Sequence, residues 1–246
     1  MEDCVLKHIT ATLLLTLCTC SVAAEDVDLQ ALVNEAFAAL ESEVQTRWQF
    51  VETSDDGEFR RSARYNPSVP EGEAWQLLSV NDRPATADEV TAFRQQKREQ
   101  KERETQRGGG SEANPLDTID LQSLRLLDEN ATSWRIGFTP IGSGDGQKMM
   151  AKMLGTLGIS KSALCVEYLE IASPGPVKPQ LGVKVEHFLS RFEFAPVQGS
   201  QSKDGHCGRL LPTAMQFEIN MRAFGVMNVD RAISAQYSDY QFVPER

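Results

Sequence analysis

The chain has 246 residues, a net charge of −10, and 41% hydrophobic and 24% charged residues. This composition is typical of a globular protein, and the acidic excess argues against nucleic-acid binding, which needs cationic side chains to displace counterions. The sequence has no Cys-x-x-Cys or His-Glu-x-x-His pattern, so it predicts no metal site and no other cofactor.

Residues 1–24 have the pattern of a cleavable signal peptide. An uncharged stretch follows Lys7 and ends with Val22 and Ala24, at the third-last and last positions, where signal peptidase accepts small residues. The stretch is shorter than the roughly 20 apolar residues that a membrane span requires. We therefore predict a periplasmic protein cleaved after Ala24, with a mature charge of −9 because Glu2, Asp3 and Lys7 leave with the leader.

Cleavage would leave two of the five cysteines, Cys165 and Cys207, in an oxidising compartment. A bridge between them would stabilise the fold by about 2–4 kcal/mol, but sequence spacing does not decide whether it forms.

Cys20 raises a separate question about the leader, because Leu17-Cys18-Thr19-Cys20 loosely resembles a lipobox. A lipoprotein leader, with Cys20 acylated, is thus the alternative to a simple signal peptide.

The mature chain, residues 25–246, begins with a predicted amphipathic helix over 28–46, followed by a hairpin. In the hairpin, Trp48 and Phe50 alternate on the first strand, and Gly57 provides the turn. A short strand over 75–80 comes next.

The helix that follows has a capping box, because Glu89 lies three residues after Thr86. From about residue 94 to 114 the chain turns polar, which predicts a helical or disordered insertion. We interpret this insertion as a solvated arm because no apolar stripe accompanies its charges; contact with anionic lipid headgroups is the alternative.

The second half is rich in predicted strands, and these include 134–138, 163–171, 183–194, 215–221 and one or two within 226–243. In the predicted strand 183–194, the apolar residues change from odd-numbered to even-numbered positions near His187, which indicates a β-bulge. A short helix is predicted between the first two strands, with one apolar face: Met149, Met150, Met153, Leu154 and Leu157.

Two stretches carry a family resemblance. The first runs from Tyr65-Asn66-Pro67 through Trp75-Gln76-Leu77-Leu78-Ser79-Val80, and the second from Gly208-Arg209-Leu210-Leu211-Pro212-Thr213 to Tyr237-Ser238-Asp239-Tyr240. Together they resemble exported Gram-negative proteins whose layout is similar to the periplasmic lipoprotein carriers, the LolA/LolB-like superfamily. The resemblance implies a mainly β (α+β) fold: a strongly curved antiparallel half-barrel with helices covering its concave face, in which acyl chains are held. No functional residue of the carriers maps onto a matching motif here.

Methionine suits a cavity for a flexible ligand because its side chain is unbranched and polarizable. We hypothesise an apolar cavity lined from several elements by Trp48, Phe50, Met149, Met150, Met153, Leu157, Met215, Phe217, Ile219 and Met221. The alternative is that these side chains pack on one another as ordinary core.

No catalytic constellation is visible. Ser200 and Lys203 match a Ser-x-x-Lys pattern but lie in a glycine-rich loop without its partner motifs, and the paired carboxylates fall in turns. We therefore predict a non-enzymatic periplasmic binding protein for lipid or a lipidated partner, with at most peripheral membrane contact. The alternatives are an envelope protein–protein interaction module with a filled core, and a hydrolase whose site the sequence does not display.

Overall fold

The computed structural model describes residues 27–41, 44–106, 114–142, 146–197, 207–224 and 226–244. The predicted signal peptide, the acylation question at Cys20 and the Ser200–Lys203 pattern lie outside these ranges.

Twelve strands in the described ranges form one antiparallel sheet. They are β1 (Trp48–Asp55), β2 (Arg60–Tyr65), β3 (Trp75–Val80), β4 (Arg83–Pro84), β5 (Ile119–Glu129), β6 (Ser133–Pro140), β7 (Leu154–Ser160), β8 (Cys165–Ala172), β9 (Val177–Gln180), β10 (Val183–Pro196), β11 (Leu210–Ala223) and β12 (Met227–Phe242). Their spatial order is β4-β3-β2-β1-β12-β11-β10-β8-β7-β6-β5, with β9 also paired to β10. The sheet is open, since β4 and β5 form its two ends, and this confirms the predicted mainly β fold.

Four α-helices accompany the sheet in the described ranges: α1 (Leu29–Phe37), α2 (Val44–Arg47), α3 (Ala87–Gln106) and α4 (Gln147–Met150). In the same ranges no helix is long and apolar enough to cross a membrane. Helix α3 begins with the predicted capping box, in which the Thr86 amide donates to Glu89 Oε2 at 2.8 Å. It includes the first part of the polar insertion and is helical to Gln106.

The two faces of the sheet follow from strand register. Residues paired across neighbouring strands lie on the same face, and successive residues on one strand alternate between faces. Phe192 pairs with both Leu169 and Met215, and Phe217 pairs with Ile233, so these side chains share one face. Helices α1 and α3 pack on this face, which is the concave one.

Two hydrophobic clusters cover the ends of the concave face. The α1 cluster joins helix α1 to β5–β8, β10 and β11, and its fully buried members include Val33, Ile136, Leu157 and Val185. The α3 cluster is smaller: Phe93 of helix α3 packs on Ala63, Leu77 and Val80. A disulfide joins Cys165 and Cys207, with the Cα atoms 5.2 Å apart, and lies in the α1 cluster.

Most strand predictions are confirmed. The hairpin turns at Gly57 with φ +84°, the short strand spans Trp75–Val80, and β10 has its register shift between Val185 and His187. Asp55 and Asp56 accept hydrogen bonds from backbone amides of the turn, as such residues do in tight turns.

The first helix is shorter than the predicted 28–46. Helix α1 ends at Phe37, because the chain then turns and Leu40 forms a parallel bridge with Leu210. The Leu210 amide donates to Ala39 O at 2.7 Å, so pairing with the sheet replaces the next helical turn.

The predicted methionine-rich helix is wrong beyond its first turn. Helix α4 ends at Met150, and Leu154 and Leu157 lie on β7, which pairs with β6 on one side and β8 on the other. The hydrogen bonds of two neighbouring strands outweigh the local helical spacing of these apolar residues. Strand β5 was not predicted from the sequence.

Candidate functional site: the concave face

An apolar strip lies on the concave face between the two clusters. Phe192 of β10, Met215 of β11 and Ile233 of β12 belong to neither cluster, although each is on the face that the helices cover. Phe192 is 36% exposed, and Met215 and Ile233 are partly exposed. We call these three residues the apolar trough.

One group of predicted cavity residues lies in or against the α1 cluster. Met153 and Leu157 are buried within it. The others are partly buried and pack against it: Met149, Met150, Phe217, Ile219 and Met221. The structure therefore brings seven of the ten predicted residues together. Met215 lies on β11 like Phe217, Ile219 and Met221, but it belongs to the trough.

Trp48 and Phe50 lie elsewhere on the concave face, in an aromatic cluster. The Phe50 ring centroid is 5.3 Å from that of Tyr65, 5.8 Å from that of Trp75 and 5.9 Å from that of Tyr237. Trp48 contacts Tyr240 and Phe242 edge-on. Edge-to-face and tilted arrangements are those that aromatic pairs prefer, so this region has defined geometry as well as apolar surface.

The aromatic cluster also contains two tyrosine hydroxyl groups, which are polar but uncharged. Burial, together with the nearby carboxylate of Glu52, raises the pKa of Tyr237 above its usual value of 10. Burial also raises the pKa of Tyr240, whose hydroxyl donates to Pro212 O at 2.7 Å. Both hydroxyls stay protonated at neutral pH, so they add no charge to the concave face.

Lys97 joins helix α3 to the aromatic cluster. Lys97 Nζ lies 3.9 Å from the Trp75 ring centroid, 5.5 Å from that of Phe93 and 3.9 Å from Glu52 Oε1. A cation held over an indole face stabilises by about 0.5–2 kcal/mol, depending on its desolvation. The attachment of α3 thus combines a small apolar contact with a cation–π interaction and a long ion pair.

The convex face has the opposite chemistry. Arg191 donates to Glu170 and Glu193 at 2.9 Å each, and its guanidinium lies 4.1 Å from the Tyr168 ring centroid. The two carboxylates raise the pKa of Arg191 despite the opposing effect of burial. An open groove of about 320 Å³ adjoins it, with mostly polar neighbours such as Arg60 and Gln236.

His187, the histidine within the described ranges, lies away from the concave face. His187 hydrogen-bonds Glu218 at 2.9 Å on the convex face, and His206 lies outside the described ranges. No group of three or more metal-ligating side chains occurs in the described part of the chain. The candidate site that the described residues offer is the apolar surface of the concave face.

Sequence reasoning missed five residues of the concave surface. Phe192 and Ile233 complete the trough, and Tyr65, Tyr237 and Tyr240 complete the aromatic cluster. On β12, Ile233, Ala235 and Tyr237 occupy alternate positions, which indicates a strand with one apolar face and could have identified two of these residues from the sequence.

Comparisons with known proteins add little beyond this geometry. No family model matches the chain, and a search of curated proteins finds no match. Among solved structures, a LolA superfamily protein from Nitrosomonas europaea aligns with 89% of this chain and 96% of its own, at 13% identity and a TM-score of 0.37.

Proposed function

We propose that the protein is a non-enzymatic periplasmic binding protein whose concave face takes the acyl chain of a lipid or of a lipidated partner. The observation that supports this proposal is the apolar trough. Phe192, Met215 and Ile233 remain partly exposed between two packed clusters, whereas the convex face behind them holds ion pairs.

The energetics favour a long acyl chain as the ligand. Each methylene that leaves water contributes about 0.8 kcal/mol, so ten or more methylenes can offset the cost of ordering the ligand. The flexible side chain of Met215 can adapt to a chain without a fixed shape, and the Phe192 ring supplies a broad apolar contact. Helix α3, held by few buried residues, is the element that we expect to move when ligand enters.

The first experiment tests the trough with a matched pair of variants. Phe192→Glu places a charge on the concave face at an exposed position, so the fold is retained while the trough becomes polar. Gln216→Glu adds the same charge one residue from Met215 on the opposite face. We expect Phe192→Glu to weaken displacement of a fluorescent fatty acid at least tenfold, and Gln216→Glu to leave it unchanged.

Native mass spectrometry of the protein purified without detergent is the second measurement. A bound acyl mass in the wild type that is lost in Phe192→Glu supports the proposal and identifies the ligand class. Equal probe affinity of both variants, or no binding at micromolar probe, rejects the trough as the site.

The alternative function is an envelope protein–protein interaction module. The packing of Met149, Met150 and Met153 against the α1 cluster favours it, because these side chains are then core rather than cavity lining. An apo mass, combined with no change in stability on adding fatty acid, would move the assignment to this module.

A further inference from the structure

Four large apolar side chains project into solvent at one corner of the sheet. Leu181 is 97% exposed, Val226 91%, Phe224 72% and Met227 58%. Leu181 lies in the turn between β9 and β10, Phe224 and Val226 lie in the turn between β11 and β12, and Met227 is the first residue of β12. We call these four residues the apolar prong. Scattered exposed apolar residues are normal in proteins, but four at one corner indicate an interaction site.

The two turns are held side by side. Val183 pairs with Ala223 in the β10–β11 register, and the Phe224 amide donates to Gly182 O at 2.6 Å. A Cβ on Gly182 would lie 2.9 Å from the Phe224 ring, so glycine at this position allows the ring to pack over the neighbouring turn. The prong is therefore one surface rather than two independent loops.

Phe224 occupies a backbone conformation that its side chain disfavours. Its φ is +52°, in the left-handed region where glycine or asparagine is the usual residue and a bulky aromatic costs about 1 kcal/mol or more. Within this fold the ring gains little burial to offset that cost, because it is mostly exposed. Contact of the exposed Phe224 ring with another molecule would explain why an aromatic residue occupies this strained turn.

Positive charge lies directly behind the prong. Lys184 and Arg222 are cross-strand partners one pair behind Val183 and Ala223, and Lys178 is exposed on β9. Lys184 forms an ion pair with Glu186 at 2.8 Å, and Asp230 lies on β12. The three cations therefore exceed these two carboxylates by one, in a chain whose net charge is −10.

We propose that the apolar prong inserts into the interface of an anionic bilayer, with Lys178, Lys184 and Arg222 contacting the headgroups. Apolar side chains that enter the acyl boundary, backed by cations at headgroup level, are the combination that anchors peripheral proteins. Two copies meeting prong to prong would bring their Lys178, Lys184 and Arg222 side chains together, and like charges repel, so these cations favour an anionic lipid surface over such a dimer. This site is separate from the trough: Phe192 is nine residues along β10 from Val183, or about 30 Å in an extended strand.

The test is co-sedimentation with vesicles of phosphatidylethanolamine and phosphatidylglycerol, compared with neutral phosphatidylcholine vesicles. We expect the wild type to partition onto the anionic vesicles, and Leu181→Ser/Phe224→Ser/Val226→Ser to lose at least tenfold in partition coefficient. The matched control is Leu126→Ser/Ile141→Ser/Leu154→Ser, which removes exposed apolar side chains elsewhere and should bind like the wild type.

A charge variant separates the two parts of the proposal. Lys178→Glu/Arg222→Glu should reduce binding to anionic vesicles several-fold and abolish its sensitivity to salt, while the neutral-vesicle signal stays low. Circular dichroism confirms that each variant is folded, and fatty-acid displacement by the prong variant reports on the trough independently. Equal partition of prong and control variants overturns the proposal, as does prong-dependent dimerisation in light scattering without vesicle binding.

Discussion

The two ends of the concave face differ in how firmly their helices are attached. Helix α1 contributes four buried residues to a large hydrophobic cluster that spans β5–β8, β10 and β11 and includes the Cys165–Cys207 disulfide. Helix α3 is about twice as long, but of its side chains whose burial is described only Phe93 is buried, in a cluster of four buried residues. The longer of these two helices therefore has the smaller buried contact with the sheet.

The difference follows from sequence composition. Helix α1 has apolar residues at helical spacing, and Leu32, Val33, Ala36 and Phe37 face the sheet. Beyond Phe93, helix α3 consists of polar and charged residues from Arg94 to Gln106, so its second half has no apolar stripe to bury. The α1 end has the larger buried contact with the sheet and the α3 end the smaller one, so under the proposed function we expect α3 to be the helix that moves when a ligand enters the trough.

The largest effect is expected from truncating the core at the α1 end. Leu157→Ala removes a fully buried side chain of β7, which should lower the free energy of unfolding by about 2–5 kcal/mol. Urea denaturation followed by circular dichroism measures this change.

Phe93→Ala is the matched variant at the α3 end. It should accelerate hydrogen exchange throughout α3 while shifting the urea midpoint less than Leu157→Ala does, because few contacts join α3 to the sheet. Equal shifts in the urea midpoint with no selective exchange in α3 would show that the two ends unfold as one unit.

The disulfide is expected to give the next largest effect. It closes a loop with a sequence separation of 42, and the entropy of that loop in the unfolded chain predicts a stabilisation of about 2–4 kcal/mol. Cys165→Ser/Cys207→Ser should lower the unfolding free energy by this amount and loosen the Leu40–Leu210 bridge near Cys207. The rate of amide hydrogen exchange in α3 should not change. A selective increase in α3 would contradict the conclusion that the α1 end and the α3 end are stabilised independently.

Local sequence signals predicted many elements of the fold. Strict alternation indicated β11, Gly57 indicated the hairpin turn, and the shift of apolar positions near His187 indicated the bulge in β10.

Sequence-based prediction failed where the spacing of apolar residues fitted more than one kind of element. Met149, Met150, Met153, Leu154 and Leu157 match helical spacing, yet β7 forms because β6 and β8 pair with it on both sides. Strand β5 was missed because its register breaks between Asp120 and Arg125 and interrupts the alternation.

The candidate site was harder to predict because distant strands assemble it. The alternation on β11 indicated one apolar face, but nothing local to Trp48 shows that it pairs with Phe242, at the other end of the chain. The trough similarly needs β10, β11 and β12 in register before Phe192, Met215 and Ile233 become neighbours. Periodicity gives the face of a strand, while register between strands decides which faces meet.

The smallest effect concerns pH and is confined to the α3 end. Glu89 accepts two hydrogen bonds from Arg83 and one from the Thr86 amide, and these lower its pKa from 4.5 to about 2. Because the pKa is lower in the folded state, the contribution of the cap is fully present above pH 4.5 and is lost as the pH falls toward 2. Amide exchange in the first turn of α3 should therefore accelerate over this range, while amides of α1 serve as the internal control. Glu89→Gln should weaken the cap and remove most of its pH dependence. If that variant keeps the wild-type pH profile, a different carboxylate controls the start of α3.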